Sequence, residues 1–212
     1  MPTAISRPGV AVPAATLAAI TLAAWLALPQ LDMMTSRLLA FVFGWTVMMT
    51  AMMVPSAMPF VLVYGRRGRT PLLAGYLLVW ALTGLVAYAV AMSVDLMDVP
   101  TAGVAAVLAL AGAYQFTPLK DVCLRACRSP LDFIAARWGR NPLRLGAEHG
   151  LYCLGCCWAL MAVLVLAAAM SLRAALVIAA VVFAEKVLPA GEWTARLAGV
   201  VLLVSAFVVF VI

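Results

Sequence analysis

The sequence predicts an all-α, polytopic bundle of about seven transmembrane helices that forms a single integral membrane domain over residues 1–212. Apolar residues make up 67% of the chain and charged residues only 10%. The mean hydropathy is +1.13. A soluble domain of this length needs far more polar surface to cover its core. The long apolar runs leave no room for a soluble domain, so function is expected in the helices or in one connecting loop.

Seven apolar runs are long enough, or nearly so, to cross about 30 Å of hydrocarbon at a rise of about 1.5 Å per residue. They cover residues 10–28, 38–63, 72–93, 101–116, 147–170, 172–188 and 194–212. Residues 118–146 connect the fourth and fifth runs. This loop mixes basic residues with Leu131, Phe133 and Trp138, a pattern typical of an amphipathic segment on an anionic membrane surface.

The distribution of positive charge predicts the topology. With seven spans, twelve of the 14 lysines and arginines fall on the side of the N-terminus, and only Arg37 and Arg173 fall on the other side. Basic residues accumulate in cytoplasmic loops, so the N-terminus is expected in the cytoplasm. The basic residues behind the net charge of +6 are thus explained by their role in orienting the helices, and nucleic acid is not expected as a partner.

Thiols and the one imidazole are concentrated in a short part of the chain. They form two groups: Cys123 and Cys127 in the loop, and His149, Cys153, Cys156 and Cys157 at the start of the fifth span. At 100° per residue, the second group projects within an arc of about 100° on one helix face. A single buried cysteine is usually a small packing residue. Three thiols and an imidazole on one face instead favour metal or redox chemistry.

The second predicted span carries two adjacent rows of thioethers. Met48 and Met52 form one row and Met49 and Met53 the other, each at a spacing of four residues. Pro55 follows and is expected to kink the helix, because proline removes a backbone donor. Methionine is also a flexible filler of helix interfaces, so these residues alone do not identify a site.

Two charged residues end the sixth predicted span. Glu185 and Lys186 are expected on the same side of the membrane as His149. Glu185 is interpreted either as a hydrogen-bond partner that orients the His149 imidazole or as half of an interfacial ion pair with Lys186.

The combined ligand set predicts the metal. Thiolates and thioethers are soft ligands and select Cu(I), whereas zinc takes cysteine and histidine but rarely methionine. Copper(I) is therefore the first expectation. Zinc is an equal alternative if the methionines only fill space.

Several strings in the chain carry a family resemblance. They are residues 45–55, residues 74–76 with Trp80, residues 114–120, residues 123–130, residues 149–161 (HGLYCLGCCWALM) and residues 185–186. The chain resembles a bacterial family of predicted metal-binding integral membrane proteins, a domain of unknown function sometimes labelled copper chaperone. The resemblance implies a multi-pass protein of the bacterial inner membrane.

These patterns predict binding and transfer of a soft metal, with no catalytic residues and no enzyme activity. The partners expected are the lipid bilayer, a metal ion and a soluble or membrane protein that exchanges metal, with Cys123 and Cys127 presented near the surface. One alternative is a thiol–disulfide oxidoreductase using Cys153 and Cys156. Another is a structural subunit that packs on a partner through six glycines in the helices: Gly75, Gly84, Gly103, Gly112, Gly146 and Gly150.

Overall fold

The computed structural model describes residues 8–31, 35–94, 98–166 and 171–212, with side chains from residue 11 onwards. Their regular structure is helical throughout, which confirms the all-α class. In chain order the helices are α1 (Pro8–Ala27), α2 (Leu38–Val63), α3 (Arg69–Ser93), α4 (Thr101–Tyr114), α5 (Pro118–Arg128), α6 (Pro130–Ala135), α7 (Pro142–Leu166), α8 (Leu172–Val187) and α9 (Gly191–Val211).

Five of the described helical segments are long and apolar enough to cross a membrane. They contain α1, α2, α3, α7 and α9. Helices α4 and α5 together form a sixth, broken candidate, because they are bent by 63° at the residues between them. The predicted fourth and sixth runs correspond to α4 and α8, which are shorter than a full span. Residues 167–170, the predicted end of the fifth run, lie outside the described residues.

The predicted loop at residues 118–146 contains two helices and the first turn of a third. Thr117 caps α5 by accepting a hydrogen bond from the Lys120 backbone N–H at 3.3 Å, and Pro118 occupies the first turn, where its missing N–H costs nothing. Helix α5 packs against α7 and α8. The next helix of the core, α7, begins at Pro142, five residues earlier than the apolar run indicated.

Helix α2 passes without interruption through the two prolines at positions 55 and 59. The kink expected at Pro55 therefore does not end the helix, although proline deprives the carbonyl four residues earlier of its helical donor. Helix α2 packs against α1, α3 and α8. Its middle is fully buried, which is unusual for a span that only faces lipid.

Helices α3 and α7 form the closest helix pair around the site, and glycine makes the approach possible. A Cβ atom at Gly75 would lie 1.9 Å from the Leu143 carbonyl oxygen, and one at Gly146 would lie 1.8 Å from the Leu72 carbonyl oxygen. Small residues allow backbones to approach in this way in membrane bundles.

Most of the six glycines that were predicted to pack on a partner protein instead pack against other helices of this chain. Gly150 also faces α3, Gly84 faces Trp45 of α2, and Gly112 faces α9. Gly103 meets only its neighbours Val99 and Pro100, so the structural-subunit alternative loses five of the six glycines on which it was based.

Gly146→Ala is expected to lower the free energy of unfolding by about 1–3 kcal/mol, because the new methyl group must displace α3 backbone. Thermal unfolding of the purified protein in detergent measures the loss. Gly65→Ala is the matched control, since a Cβ there meets nothing within 4 Å. Equal melting temperatures for the two variants would contradict the packing described.

Candidate metal centre

A cluster of sulfur atoms lies where α5 meets α7. All five cysteines are free thiols, and none is more than 8% exposed. The Sγ atoms of Cys127 on α5 and Cys156 on α7 are 3.9 Å apart. Cys123 packs over Gly155 of α7, where a Cβ atom would lie 2.6 Å from its Sγ. The expectation that Cys123 and Cys127 are presented at the surface is therefore wrong, because the amphipathic α5 turns its apolar face, thiols included, into the bundle.

Two of the α7 thiols are turned towards their own helix backbone. Cys156 donates a hydrogen bond to the Cys153 carbonyl oxygen at 3.1 Å, and Cys157 donates to the same oxygen at 2.9 Å. In this arrangement, no three His, Cys, Asp or Glu side chains of the described residues converge as a metal site. The thiols are neighbours, but two of them are directed at the helix backbone and not at a common point.

Cys153 is the point where four helices meet. Its Sγ lies 2.9 Å from Nζ of Lys186 on α8 and 3.0 Å from Oη of Tyr76 on α3. The same Nζ lies 3.5 Å from Oγ of Ser56 on α2. A lysine that is only 6% exposed needs a compensating partner, and a thiolate in a bundle core needs a cation. The Lys186–Cys153 contact satisfies both requirements.

His149 lies one helical turn before Cys153 within an aromatic enclosure. Its ring stacks on Phe60 of α2 at 3.8 Å between centroids and meets the edge of Phe133 of α6 at 5.1 Å. The side chain is 2% exposed, and its Nδ1 atom has no hydrogen-bond partner among the described residues. A buried nitrogen without a partner is costly, so it is suited to accept a bond from a ligand.

A second group of buried polar residues near the thiols is the ion pair of Lys120 and Glu185. Lys120 Nζ contacts Glu185 Oε2 at 2.7 Å and the Cys156 carbonyl oxygen at 2.5 Å, and both charged side chains are fully buried. Glu185 therefore neither orients His149 nor forms an interfacial pair with Lys186, as its position in the sequence had suggested. The lysine expected on the membrane surface is instead the partner that allows a carboxylate into the core.

The methionines of α2 share the core that contains the thiols. Met48, Met49, Met52 and Met53 are at most 1% exposed and belong to the same buried cluster as all five cysteines. Met49 and Met53 lie on the helix face of Ser56 and Phe60, at steps of four, three and four residues. Because Ser56 contacts Lys186 and Phe60 stacks on His149, this face is directed at the site.

The sequence singled out the thiols and thioethers that the structure buries in one core, but it did not indicate the residues that surround them. Tyr76, Phe60 and Phe133 carry no local signal, because aromatic residues are common in any apolar run. Lys120 and Lys186 did carry one, since an ionisable residue within an apolar bundle is a functional indication by default. Their positions near the ends of apolar runs made a surface location look equally natural.

Residues 42–209 match the family PpoB2, described as "Copper chaperone". The chain belongs to this family. The match covers α2 to α9, and so includes each of the helices that contribute to the site. No curated protein and no solved structure matches the chain.

Membership in the copper chaperone family agrees with the chemistry of the donor set. Buried thiols and thioethers favour a soft monovalent ion over hard, oxygen-preferring cations. The unpartnered His149 Nδ1 adds a borderline ligand at the edge of the same core. The donor atoms of the site are thus chemically suited to copper.

Proposed function

We propose that this protein is an integral membrane copper chaperone that binds Cu(I) and transfers it to a partner, without catalysing a reaction. The observation that carries the proposal is the burial of four neighbouring thiols from two helices in one core with four methionines. The thiols are Cys127, Cys153, Cys156 and Cys157. The family description supports copper as the cargo.

Binding begins, in this proposal, with exchange of one cation for another at Cys153. The Lys186 ammonium group contacts this sulfur at 2.9 Å. An incoming Cu(I) takes the sulfur, and the ammonium group moves towards Ser56, already 3.5 Å away. Lys186 keeps its proton in this step, so Cu(I), the ammonium group and the Cys153 thiolate together carry one net positive charge, which a second thiolate then balances.

The other ligands are recruited by rotation. Cys156 and Cys157 give up their hydrogen bonds to the Cys153 carbonyl oxygen and turn towards the ion, and one of them loses its proton to solvent as the balancing thiolate forms. Met49 and Met53 on α2 and Nδ1 of His149 offer further donors, of which the ion takes only a subset at any time. Cys127, 3.9 Å from Cys156, gives the ion a second helix to move to during transfer.

Orientation and location extend the proposal. The protein resides in the bacterial inner membrane with its N-terminus in the cytoplasm, supported by the uneven distribution of lysine and arginine. Cys123 and Cys127 then lie towards the cytoplasmic ends of the helices. A soluble or membrane metal carrier on that side is the proposed exchange partner.

The experiment that tests copper against zinc uses the methionines. Met49→Leu/Met53→Leu should weaken Cu(I) affinity by roughly tenfold or more while leaving Zn(II) affinity unchanged, because zinc rarely uses thioethers. Competition titration of the detergent-purified protein with a chromophoric chelator of each ion gives both affinities. Leucine conserves volume, so the fold is retained.

Met58→Leu is the matched control, because Met58 lies on the opposite face of α2, and it should leave both affinities unchanged. Unchanged Cu(I) affinity in the double variant would show that the methionines only fill space. Zinc would then be an equal candidate.

A thiol–disulfide oxidoreductase is the second candidate, and the short Cys127–Cys156 distance favours it. Trapping the redox state with an alkylating reagent distinguishes the two functions. A stable disulfide in protein taken from growing cells would support the redox function, provided that Met49→Leu/Met53→Leu forms the same disulfide as the wild type.

A further inference from the structure

A basic pocket opens beside the bundle, away from the sulfur cluster. It occupies about 750 Å³ between the turn that joins α2 to α3 and the turn that joins α6 to α7. Four arginines line it, two from each turn: Arg66, Arg67, Arg137 and Arg140. Neither the copper proposal nor the family description uses this part of the molecule.

The first wall of the pocket is held in place by an arginine that does not line it. Arg69 donates from Nε to the Tyr64 carbonyl oxygen at 2.9 Å and from Nη2 to the Leu62 carbonyl oxygen at 2.8 Å. These bonds fix the turn after α2. Arg66 and Arg67 are exposed on that turn, and their guanidinium groups have no hydrogen-bond partner in the part of the chain that the structure describes.

The second wall is ordered by one carboxylate. Glu148 of α7 accepts a hydrogen bond from Nε of Arg137 at 3.1 Å and also pairs with Arg140 and Arg144. The Arg137 guanidinium group lies 3.9 Å from the centroid of the Phe133 ring. Since one carboxylate faces several arginines, positive charge remains in excess around the cavity after this pairing.

The pocket has both basic and apolar lining, which restricts the class of ligand that can fill it. Val63, Ile134, Pro142 and Leu145 give it apolar lining, and Trp138, which is 85% exposed, stands at its edge. Aromatic residues of this kind mark the headgroup level of a membrane. Arginine binds phosphate oxygens in a planar, bidentate manner, and basic pockets between helices at this depth recognise acidic lipid headgroups.

We infer that this pocket binds the phosphate of an anionic glycerophospholipid, with the glycerol and the upper acyl chain against its apolar lining. The positive charge of the loops is then part of a built site, and does more than orient the chain. A free phosphate compound would satisfy the arginines but leave the apolar lining uncovered. The membrane lipid satisfies both.

The test compares two double variants of the full-length protein in neutral detergent. Arg66→Gln/Arg67→Gln removes two lining guanidinium groups that hold no part of the fold. Arg125→Gln/Arg196→Gln removes the same charge from exposed positions on the same predicted side, outside the pocket. Native mass spectrometry at a fixed ratio of phosphatidylglycerol to protein gives the affinity of each, with phosphatidylcholine as the uncharged comparison.

The pocket variant should bind phosphatidylglycerol roughly tenfold more weakly than the wild type, and the control variant should change by less than about twofold. Phosphatidylcholine should bind weakly to all three proteins. Equal weakening in the two double variants would overturn the inference, because it would indicate only diffuse surface charge. Full displacement of the lipid by millimolar glycerol phosphate would also overturn it, in favour of a soluble phosphate ligand. Copper affinity should be the same in the wild type and both variants, so this test is independent of the metal site.

Discussion

Cys153→Ser/Cys156→Ser is expected to remove nearly all Cu(I) bound by the purified protein, a loss of affinity of roughly a hundredfold or more. Cys153 is the sulfur on which α2, α3, α7 and α8 converge, and Cys156 is the link to α5 through Cys127. Serine keeps the size of the side chain but replaces a soft sulfur by a hard oxygen, which Cu(I) binds poorly. Metal analysis of protein from cells grown in copper, with chelator competition in vitro, gives the size of the loss.

Ala159→Ser is the matched control for this experiment. Ala159 is 1% exposed on α7, so serine there buries a hydroxyl in the same helix without removing a ligand. The control should retain wild-type copper, and circular dichroism should show equal helix content in all three proteins. Equal copper content in the double variant and the wild type would remove the α7 cluster from the account of copper binding.

Helix boundaries were predictable from the sequence where polar residues clearly end an apolar run, and less so elsewhere. The range of α2 was predicted without error, since its apolar run is bounded by polar residues on both sides. The start of α7 was predicted too late, at residue 147, because Arg144 interrupts the apolar residues just before it, although Glu148 was already inside the predicted run. The structure accommodates these two charges as a salt bridge at a spacing of four residues, which continues the helix.

The sulfur face of α7 was predictable because helix periodicity alone brings residues 149, 153, 156 and 157 together. The meeting of Cys127 with Cys156 was not, since it depends on how α5 folds back from α4 at an angle of 63°. The same fold-back buries Lys120 against Glu185, residues that are 65 positions apart. The sequence correctly indicated that residues 118–146 contain a basic, amphipathic segment. It did not indicate that other helices of the same chain, α7 and α8, cover the apolar face of α5.

Lys120→Met is expected to lower the free energy of unfolding by about 3–5 kcal/mol, the cost of leaving one charge of a buried pair without its partner. Glu185 Oε1 has no hydrogen-bond partner among the described residues, so Lys120 is the main compensation for this carboxylate. Loss of Lys120 also removes the bond to the Cys156 carbonyl oxygen, which ties α5 to α7. Thermal unfolding in detergent should therefore show a much lower midpoint.

The double variant Lys120→Met/Glu185→Leu separates charge from packing. Replacement of both members of a buried pair by apolar residues is often nearly neutral, so the double variant should regain most of the stability that the single variant loses. Arg125→Met, on the exposed face of the same α5 helix, controls for loss of a positive charge and should melt close to the wild type. A single variant as stable as Arg125→Met would contradict the buried pair. If the double variant were as unstable as the single one, the lost stability would come from packing of α5 on α7 and not from the unpaired charge of Glu185. The hydrogen bond from Lys120 Nζ to the Cys156 carbonyl oxygen would then contribute more to stability than the ion pair.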